Sequence, residues 1–408
     1  MSLRSHRLLV AALLLGGCTP PPEEQKKVIT LGAILDLTGD LADIGSEELD
    51  AAKLAVEEIN AAGGVLGATL ALDNRDPALD KDRAKAGAQA LVDVGVPAIL
   101  GSTASGVTLA VAEVTVPAGV VLISGASTSP LLTTVADDGL LFRTTPSDAL
   151  QGRVLAQRAR AKSLTRAATI YVPGAYGEGL SNAFRDAFVA AGGTLTSATA
   201  YTEAQQSYTD LLTTVFADNP EAVVLAGYPV DSAQIIKDYL LAFADRNTQW
   251  FFSDGLSDTG FVTLVGGSQF TFPHEGTAPA RPQGERTSAF NAAFSARYGR
   301  EPAAGFTGAV NIYDAVYLVA LAMEAAGQAQ GAAIKTRLAD LSAPGGATFS
   351  PATFKDALAA VKAGQDINFE GASGSVDMDS AGDVVAPYDI WRVESSQITV
   401  VEAGVSPQ

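Results

Sequence analysis

The sequence predicts an α/β protein made of two doubly wound lobes, each a parallel sheet with helices on both faces. Three observations predict it. Apolar runs of strand length alternate with amphipathic runs of helix length, and the crossover between parallel strands is usually a helix. The alternation runs once through the first third of the chain and restarts near residue 167. At 408 residues the chain exceeds one ordinary core and suffices for two.

Residues 28–35 (VITLGAIL) read as a buried strand. In the segment that follows, Leu49, Ala52, Val56 and Ile59 recur at helical spacing, with Ser46 as a candidate cap and Gly63-Gly64 as a stop. A second strand (ATLALDNRD) and a second amphipathic helix at 80–94 lead to a third strand (PAILG). The fourth and fifth strands fall at 120–125 and 140–145. The restart begins with AATIYV at 167–172, then a helix at 180–193 with a glycine stop. TLTSATAY, EAVVLAGY and TQWFFSD supply three more strands, with helices around 207–217 and 231–245. Later helices are expected at 308–326 and 351–363, and GSVDMDSAGDVVAPYDIWRV reads as a hairpin with polar turns.

The N-terminus reads as a processing signal. Arg4 and Arg7 precede an apolar run of eight residues, too short to span a bilayer. LGGC then resembles a bacterial lipobox, so residues 1–17 are expected to be removed and Cys18 to carry lipid. Cys18 is the one cysteine, which excludes disulfides within the chain. TPPPEEQKK makes residues 18–27 an extended tether. No other stretch reads as long and charge-free enough to span a membrane. The composition, 47% hydrophobic and 18% charged, is globular, and a net charge of −18 argues against nucleic acid and anionic lipid surfaces.

Catalytic constellations are missing from the sequence. The two histidines are His6, within the signal, and His274, too few for the usual zinc site. No nucleophile elbow is present. DMDSAGD starts like a calcium loop but has Ala381 and Tyr388 where ligands are needed, so a polar turn is expected. GAYGEG has the wrong glycine spacing for a dinucleotide fingerprint. No enzyme, cofactor or metal is expected.

What remains is a set of loops at strand ends. GSTASGVT, residues 101–108, almost spells a phosphate loop, but Val107 stands where the lysine belongs. SGASTSP, residues 124–130, follows the neighbouring strand. In a parallel sheet these two loops share one edge. They offer hydroxyls and amides near helix N-termini without a cation, which suits a single carboxylate better than a triphosphate. Taken singly, the same hydroxyls also fit turns and helix caps. In the second half, Tyr176, Tyr228 and Asp254 stand just past strands. An acid there could receive an ammonium; an ordinary turn aspartate fits equally well.

The chain resembles bacterial periplasmic binding proteins of the branched-chain amino acid (Leu/Ile/Val-binding) type, receptors of ABC importers. The resemblance runs from about Val28 to Val400. It is carried by GAILDLTGDLADIG, AVEEINAAGGVLG, ILGSTASGVTLAVA, VLISGASTSPLLT, LFRTTPSDALQG, AYGEGL and GDVVAPYDIWRV in that order. It implies the type I fold, two lobes joined by three crossover strands, near Pro146, Phe272 and Gly371. Lobe 1 would hold residues 28–146 and 272–370, lobe 2 residues 147–271 and 371–400, with 401–408 as a tail. It also implies that Ser105 (side chain), Ala126 (backbone) and Thr128 (side chain and amide) hold a ligand carboxylate, with Thr103 alongside. Asp254, Tyr176 and Tyr228 would hold an ammonium. The family often has glutamate where Asp254 stands, and Ile44 replaces a common pocket aromatic.

The expected function is therefore a lipid-anchored solute receptor in the periplasm, a monomer. It would bind a free amino acid, branched-chain or other small aliphatic, and deliver it to an importer permease. Two alternatives stay open: a ligand lacking the ammonium (a carboxylate, an amide or urea), and a ligand-sensing module for a signalling partner. Thr19, after Cys18, leaves the choice between inner and outer membrane open.

Overall fold

The computed structural model describes residues 27–266, 274–306 and 308–406. The expected signal, Cys18 and most of the tether lie outside them, as does Phe272.

The first lobe begins with β1 (Lys27–Ile34), α1 (Ala42–Ala61), β2 (Ala68–Asn74), α2 (Lys81–Asp93) and β3 (Ala98–Gly101). It continues with α3 (Ser105–Ala118), β4 (Val121–Ser124), α4 (Leu131–Thr134) and β5 (Leu141–Arg143). These strands form a five-stranded parallel sheet in the order β2-β1-β3-β4-β5. Alternate strand residues face opposite sides, as the pleat requires. Leu31, Ala33, Leu100 and Ile123 pack towards α1, while Ile34, Ile99 and Leu122 pack towards α2 and α3.

The second lobe repeats the plan. Its elements are α5 (Asp148–Ala161), β6 (Arg166–Tyr171), α6 (Ala175–Ala190), β7 (Thr194–Ala200), α7 (Thr209–Phe216) and β8 (Ala222–Ala226). Next come α8 (Pro229–Ala242), β9 (Gln249–Phe252), α9 (Thr259–Val265) and β10 (Glu275–Pro279). The chain then returns to lobe 1 as α10 (Glu285–Tyr298), α11 (Ala309–Ala326), α12 (Gly331–Ile334) and α13 (Leu338–Ser342). A small sheet, β11 (Ala347–Phe349), β12 (Ile367–Gly371) and β13 (Gly374–Ser375), encloses α14 (Phe354–Lys362). Finally β14 (Tyr388–Glu394) and β15 (Gln397–Val405) form an antiparallel hairpin on the second sheet, whose order is β15-β14-β10-β9-β8-β6-β7. Within it, β7-β6-β8-β9-β10 repeats the strand order of lobe 1.

Helix α11 satisfies the length and mean hydropathy of a membrane span, a stretch the sequence reading passed over. Its residues Ala309 to Met323 are all buried, and it is the central helix of the lobe 1 core, packed against α1, Phe290 and Phe369. Burial of each large aliphatic side chain there contributes about 1.5–3 kcal/mol. Truncating Leu318, fully buried, to alanine should cost about 2–5 kcal/mol.

Three boundaries differ from expectation. Glu275–Pro279 pairs with β9 and β14, so it belongs to the second sheet and the chain leaves lobe 2 only after Pro279. Beyond Gly371 the chain stays in the small sheet through β13, and its crossing lies where Val384 bridges Pro146. The expected tail is strand β15 as far as Val405, because its backbone completes the edge beside β14. The crossings lie side by side: the Ala280 amide donates to the Pro387 carbonyl at 2.9 Å. Ser46 is not a cap, because α1 starts at Ala42.

Candidate ligand-binding site

In each lobe the strand order reverses between the first and third strands, and such a switch point opens a crevice at the carboxyl ends of the strands. The two crevices face one another. Between them lies a narrow cavity of about 30 Å³, lined by Leu41, Ile44, Thr103, Ser105, Ala126, Thr128, Tyr176, Tyr228, Asp254, Gly255 and Phe306. All eight residues singled out in the sequence line this one cavity. The lobes are closed on it: the Ser129 hydroxyl donates to the Ala175 carbonyl across the cleft at 2.6 Å.

On the lobe 1 side, the hydroxyl-rich loops divide into two sets. Thr108, Ser124 and Ser127 weld the loops together. The Ser102 amide donates to Thr108 Oγ1 at 2.9 Å, and the Ser124 and Ser127 hydroxyls each donate to the Ser102 carbonyl at 2.8 Å. Thr108 and Ser127 share a further bond at 2.7 Å. Gly101 permits the turn: its φ is +108°, and a Cβ there would stand 2.5 Å from the Ile34 carbonyl oxygen. Val107 is buried among Ile34, Ile99 and Val111, so a lysine in its place would point into the core.

The second set faces the cavity. Ser105 opens α3, and its Oγ accepts from the Ser129 amide at 3.2 Å, which leaves its proton for a ligand. Ala126 and Thr128 come from the loop after β4. The Thr103 hydroxyl donates to Glu48 Oε2 at 2.5 Å. Glu48 is fully buried, and burial pushes its carboxyl up to about 8.

On the lobe 2 side, Asp254 follows β9 and is 3% exposed. Burial pushes its carboxyl up to about 6, against the opposing pull of the Tyr176 hydroxyl, which donates to Oδ1 at 2.8 Å. Tyr176 is itself held by the Gly255 amide at 3.1 Å. Its ring stacks on Tyr228 at 5.5 Å with 6° between the planes. A carboxylate prepared in this way, with its charge only partly compensated, is suited to receive a cation.

Among the described residues, neither lysine nor arginine lines the cavity. Leu41, Ile44 and Phe306 make its apolar wall. Leu41, Gly255 and Phe306 are additions that sequence reasoning missed. Leu41 has a signal, an apolar residue in the loop after the first strand. Phe306 has none, because a long connection between α10 and α11 carries it in. Elsewhere, Asp379 forms a turn by accepting from the Ala381 and Asp383 amides. His274 accepts from the Trp250 amide inside lobe 2. Among the described residues, no cluster of histidine, cysteine and acidic side chains could hold a metal ion.

A model of the family described as periplasmic binding protein matches residues 28–394. The Leu/Ile/Val-binding protein BraC3 of Rhizobium johnstonii is 30% identical over 319 residues, 76% of this chain and 83% of that protein. A leucine binding protein from Thermotoga maritima superposes with a TM-score of 0.78 at 23% identity, covering 93% of this chain and 99% of that one. A branched-chain amino acid transporter substrate binding protein from Streptococcus pneumoniae, in complex with isoleucine, gives 0.77 at 24%, covering 93% and 100%. These relatives are binding proteins and not enzymes. With its type I fold, the chain belongs to the periplasmic binding protein family and is similar in sequence to the Leu/Ile/Val-binding members.

Proposed function

We propose that this protein is a receptor for a free aliphatic amino acid, branched-chain or similarly small, and that it hands its ligand to an ABC importer permease. The observation that carries the reading is the polarity of the cleft. Lobe 1 presents the Ser105 hydroxyl, the Ala126–Thr128 backbone and the start of α3, which together suit one carboxylate. Lobe 2 presents Asp254 and Tyr176, which suit an ammonium. Leu41, Ile44 and Phe306 suit an aliphatic side chain and offer an acidic or basic one no partner.

Closing the lobes on such a zwitterion removes it from water and strengthens each charged contact. Micromolar affinity needs about 8 kcal/mol, within reach of a few charge-assisted hydrogen bonds plus apolar burial after ordering costs. The similarity to BraC3 supports the ligand class. In this reading Cys18 carries the lipid that holds the receptor at the periplasmic face of a membrane, and the receptor acts as a monomer. Calorimetric titration with the twenty amino acids tests the ligand class: leucine, isoleucine or valine should bind most tightly, and binding by none overturns it. Cys18→Ser should move the protein from the membrane fraction to the released fraction.

A further inference from the structure

A second cavity, of about 270 Å³, lies at the hinge. Ala278 to Arg281 line it where the chain leaves lobe 2, and Asp389 lines it just beyond the third crossing. Asn311 lines it from α11 and donates its Nδ2 to the Thr144 carbonyl, beside the first crossing, at 2.6 Å. Phe306 belongs to both cavities, walling the ligand site and this one.

The walls carry two opposite charges that do not meet. Arg281 donates Nη1 to the Ala303 carbonyl at 2.8 Å and Nη2 to the Gly305 carbonyl at 3.2 Å. Backbone thus holds the guanidinium, and among the described residues it forms no ion pair. Asp389 accepts from the Gly404 amide at 2.9 Å and from the Arg281 amide at 3.3 Å, not from the guanidinium. Burial lowers Arg281 and raises Asp389, each towards its neutral form, as befits charges taken from water without a full partner. Asn291 lines the cavity from α10 and has a buried Oδ1 with no hydrogen-bond partner. Ala278, Val310 and Ile398 give the cavity an apolar wall. A simple anion would suit Arg281 and be repelled by Asp389; a simple cation would meet the reverse. A solute carrying both charges satisfies both walls, its carboxylate on the remaining guanidinium N–H groups and its ammonium on Asp389 and Asn291.

We propose that the hinge cavity is a second binding site, for a small zwitterion of amino-acid type, and that its occupancy tightens binding in the cleft. The coupling runs through Gly305. Arg281 holds its carbonyl, Phe306 follows it, and a Cβ on Gly305 would stand 1.6 Å from the Ser257 carbonyl oxygen of lobe 2. The loop is therefore pinned between hinge and lobe 2 while its next residue walls the ligand site. The crossovers that line the cavity are the segments that bend when the lobes part. A solute that fits the cavity in this closed state favours closure, and by reciprocity a ligand in the cleft favours the solute. The second site goes beyond the cleft reading and does not depend on which ligand the cleft takes.

The two tryptophans, Trp250 and Trp391, supply a local probe, because Trp391 lines the cavity and Trp250 does not. The test follows the Trp391 indole N–H resonance, assigned through its contact with Gly276, while glycine is added to protein saturated with L-leucine. Glycine should shift that resonance. It should also lower the Kd for L-leucine, measured by calorimetry with and without saturating glycine, by roughly fivefold or more. Acetate alone and methylamine alone should do neither, and Asp389→Asn should lose both glycine responses. A Trp391 signal that glycine does not move overturns the site, as does an Asp389→Asn variant that responds like wild type. Acetate or methylamine moving the signal as far as glycine overturns the zwitterion class. An unchanged Kd overturns the coupling, and weaker L-leucine binding marks competition in the cleft and overturns it as well. If Asp389→Asn does not fold, the comparison of glycine with acetate and methylamine decides. If L-leucine does not bind, the amino-acid reading of the cleft falls, and the Trp391 signal under glycine still decides this inference.

Discussion

Replacing Asp254 by asparagine should move affinity and stability in opposite directions. The acid is 3% exposed, and burial raises it from 3.8 to about 6. A carboxyl raised on folding binds more protons folded than unfolded, so stability falls as pH rises from about 4 to about 6 and the penalty is complete above that. The size of the shift sets the penalty at about 3 kcal/mol at most at neutral pH. Asparagine keeps an oxygen for the Tyr176 hydroxyl and lifts the penalty. The ligand-free variant should therefore melt a few degrees higher at pH 7.5 and gain nothing at pH 4. Ligand affinity goes the other way. Removing the acid from a buried charge pair costs about 2–5 kcal/mol, so Kd should rise by roughly thirty-fold to several-thousand-fold. Scanning calorimetry at the two pH values and a titration at pH 7.5 measure both. A Kd within threefold of wild type removes Asp254 from the ammonium site, and an unchanged melting point at pH 7.5 refutes the burial argument.

Ser105→Ala should weaken binding by about 1.5–3 kcal/mol, because it deletes a hydroxyl donor to a charged group; an unchanged Kd would return the residue to a purely structural part in the turn. Gly255→Ala should lower affinity without removing a polar group. Its Cβ would stand 2.8 Å from the Gly227 carbonyl oxygen and 2.9 Å from Tyr176 Oη, so the tyrosine must leave Asp254, and unaltered titration would show that its position does not matter. Arg143→Met should destabilise by about 3–5 kcal/mol, since it strands the buried Asp383 carboxylate beside the crossovers, and chemical denaturation should show that loss.

How much of this was legible in the sequence differs by level. The lobes were, because continuous apolar runs of strand length and period-3.6 patterns alternate through residues 28–252. The crossovers were placed less well. Nothing in Glu275–Pro279 distinguishes a last strand of one sheet from a hinge, and only its pairing with β9 and β14 decides. The start of α1 was hidden because its N-cap residue, Leu41, has no capping side chain; Gly45 lets the first turn lie against the Asp36 backbone, where any Cβ would stand 2.0 Å from an oxygen. At the site, strand-end logic and family resemblance drew out eight residues that line the cavity. Strand-end logic alone could not say which hydroxyls face the cavity and which weld the loops, because Ser105, Thr108 and Ser127 are alike in sequence; only the resemblance singled out Ser105.

The missing lysine of residues 101–108 has a physical explanation in the charges of the closed cleft. Val107 fills the core beneath the loop, so the helix that follows is anchored by burial and its amino end is free of fixed charge. A ligand carboxylate held there, as proposed, would be met by amides and hydroxyls, whose partial charges suit one negative charge and not several. Across the cavity, Asp254 supplies negative charge, and among the described residues no cation lines the space between. A phosphate or dicarboxylate would bring two or more negative charges against that acid with nothing to offset them. A neutral zwitterion would bring its own cation to the acid and its anion to the helix. Selectivity against anions then comes from repulsion at lobe 2 as much as from attraction at lobe 1. A lysine at 107 would weaken that discrimination even if it could be buried.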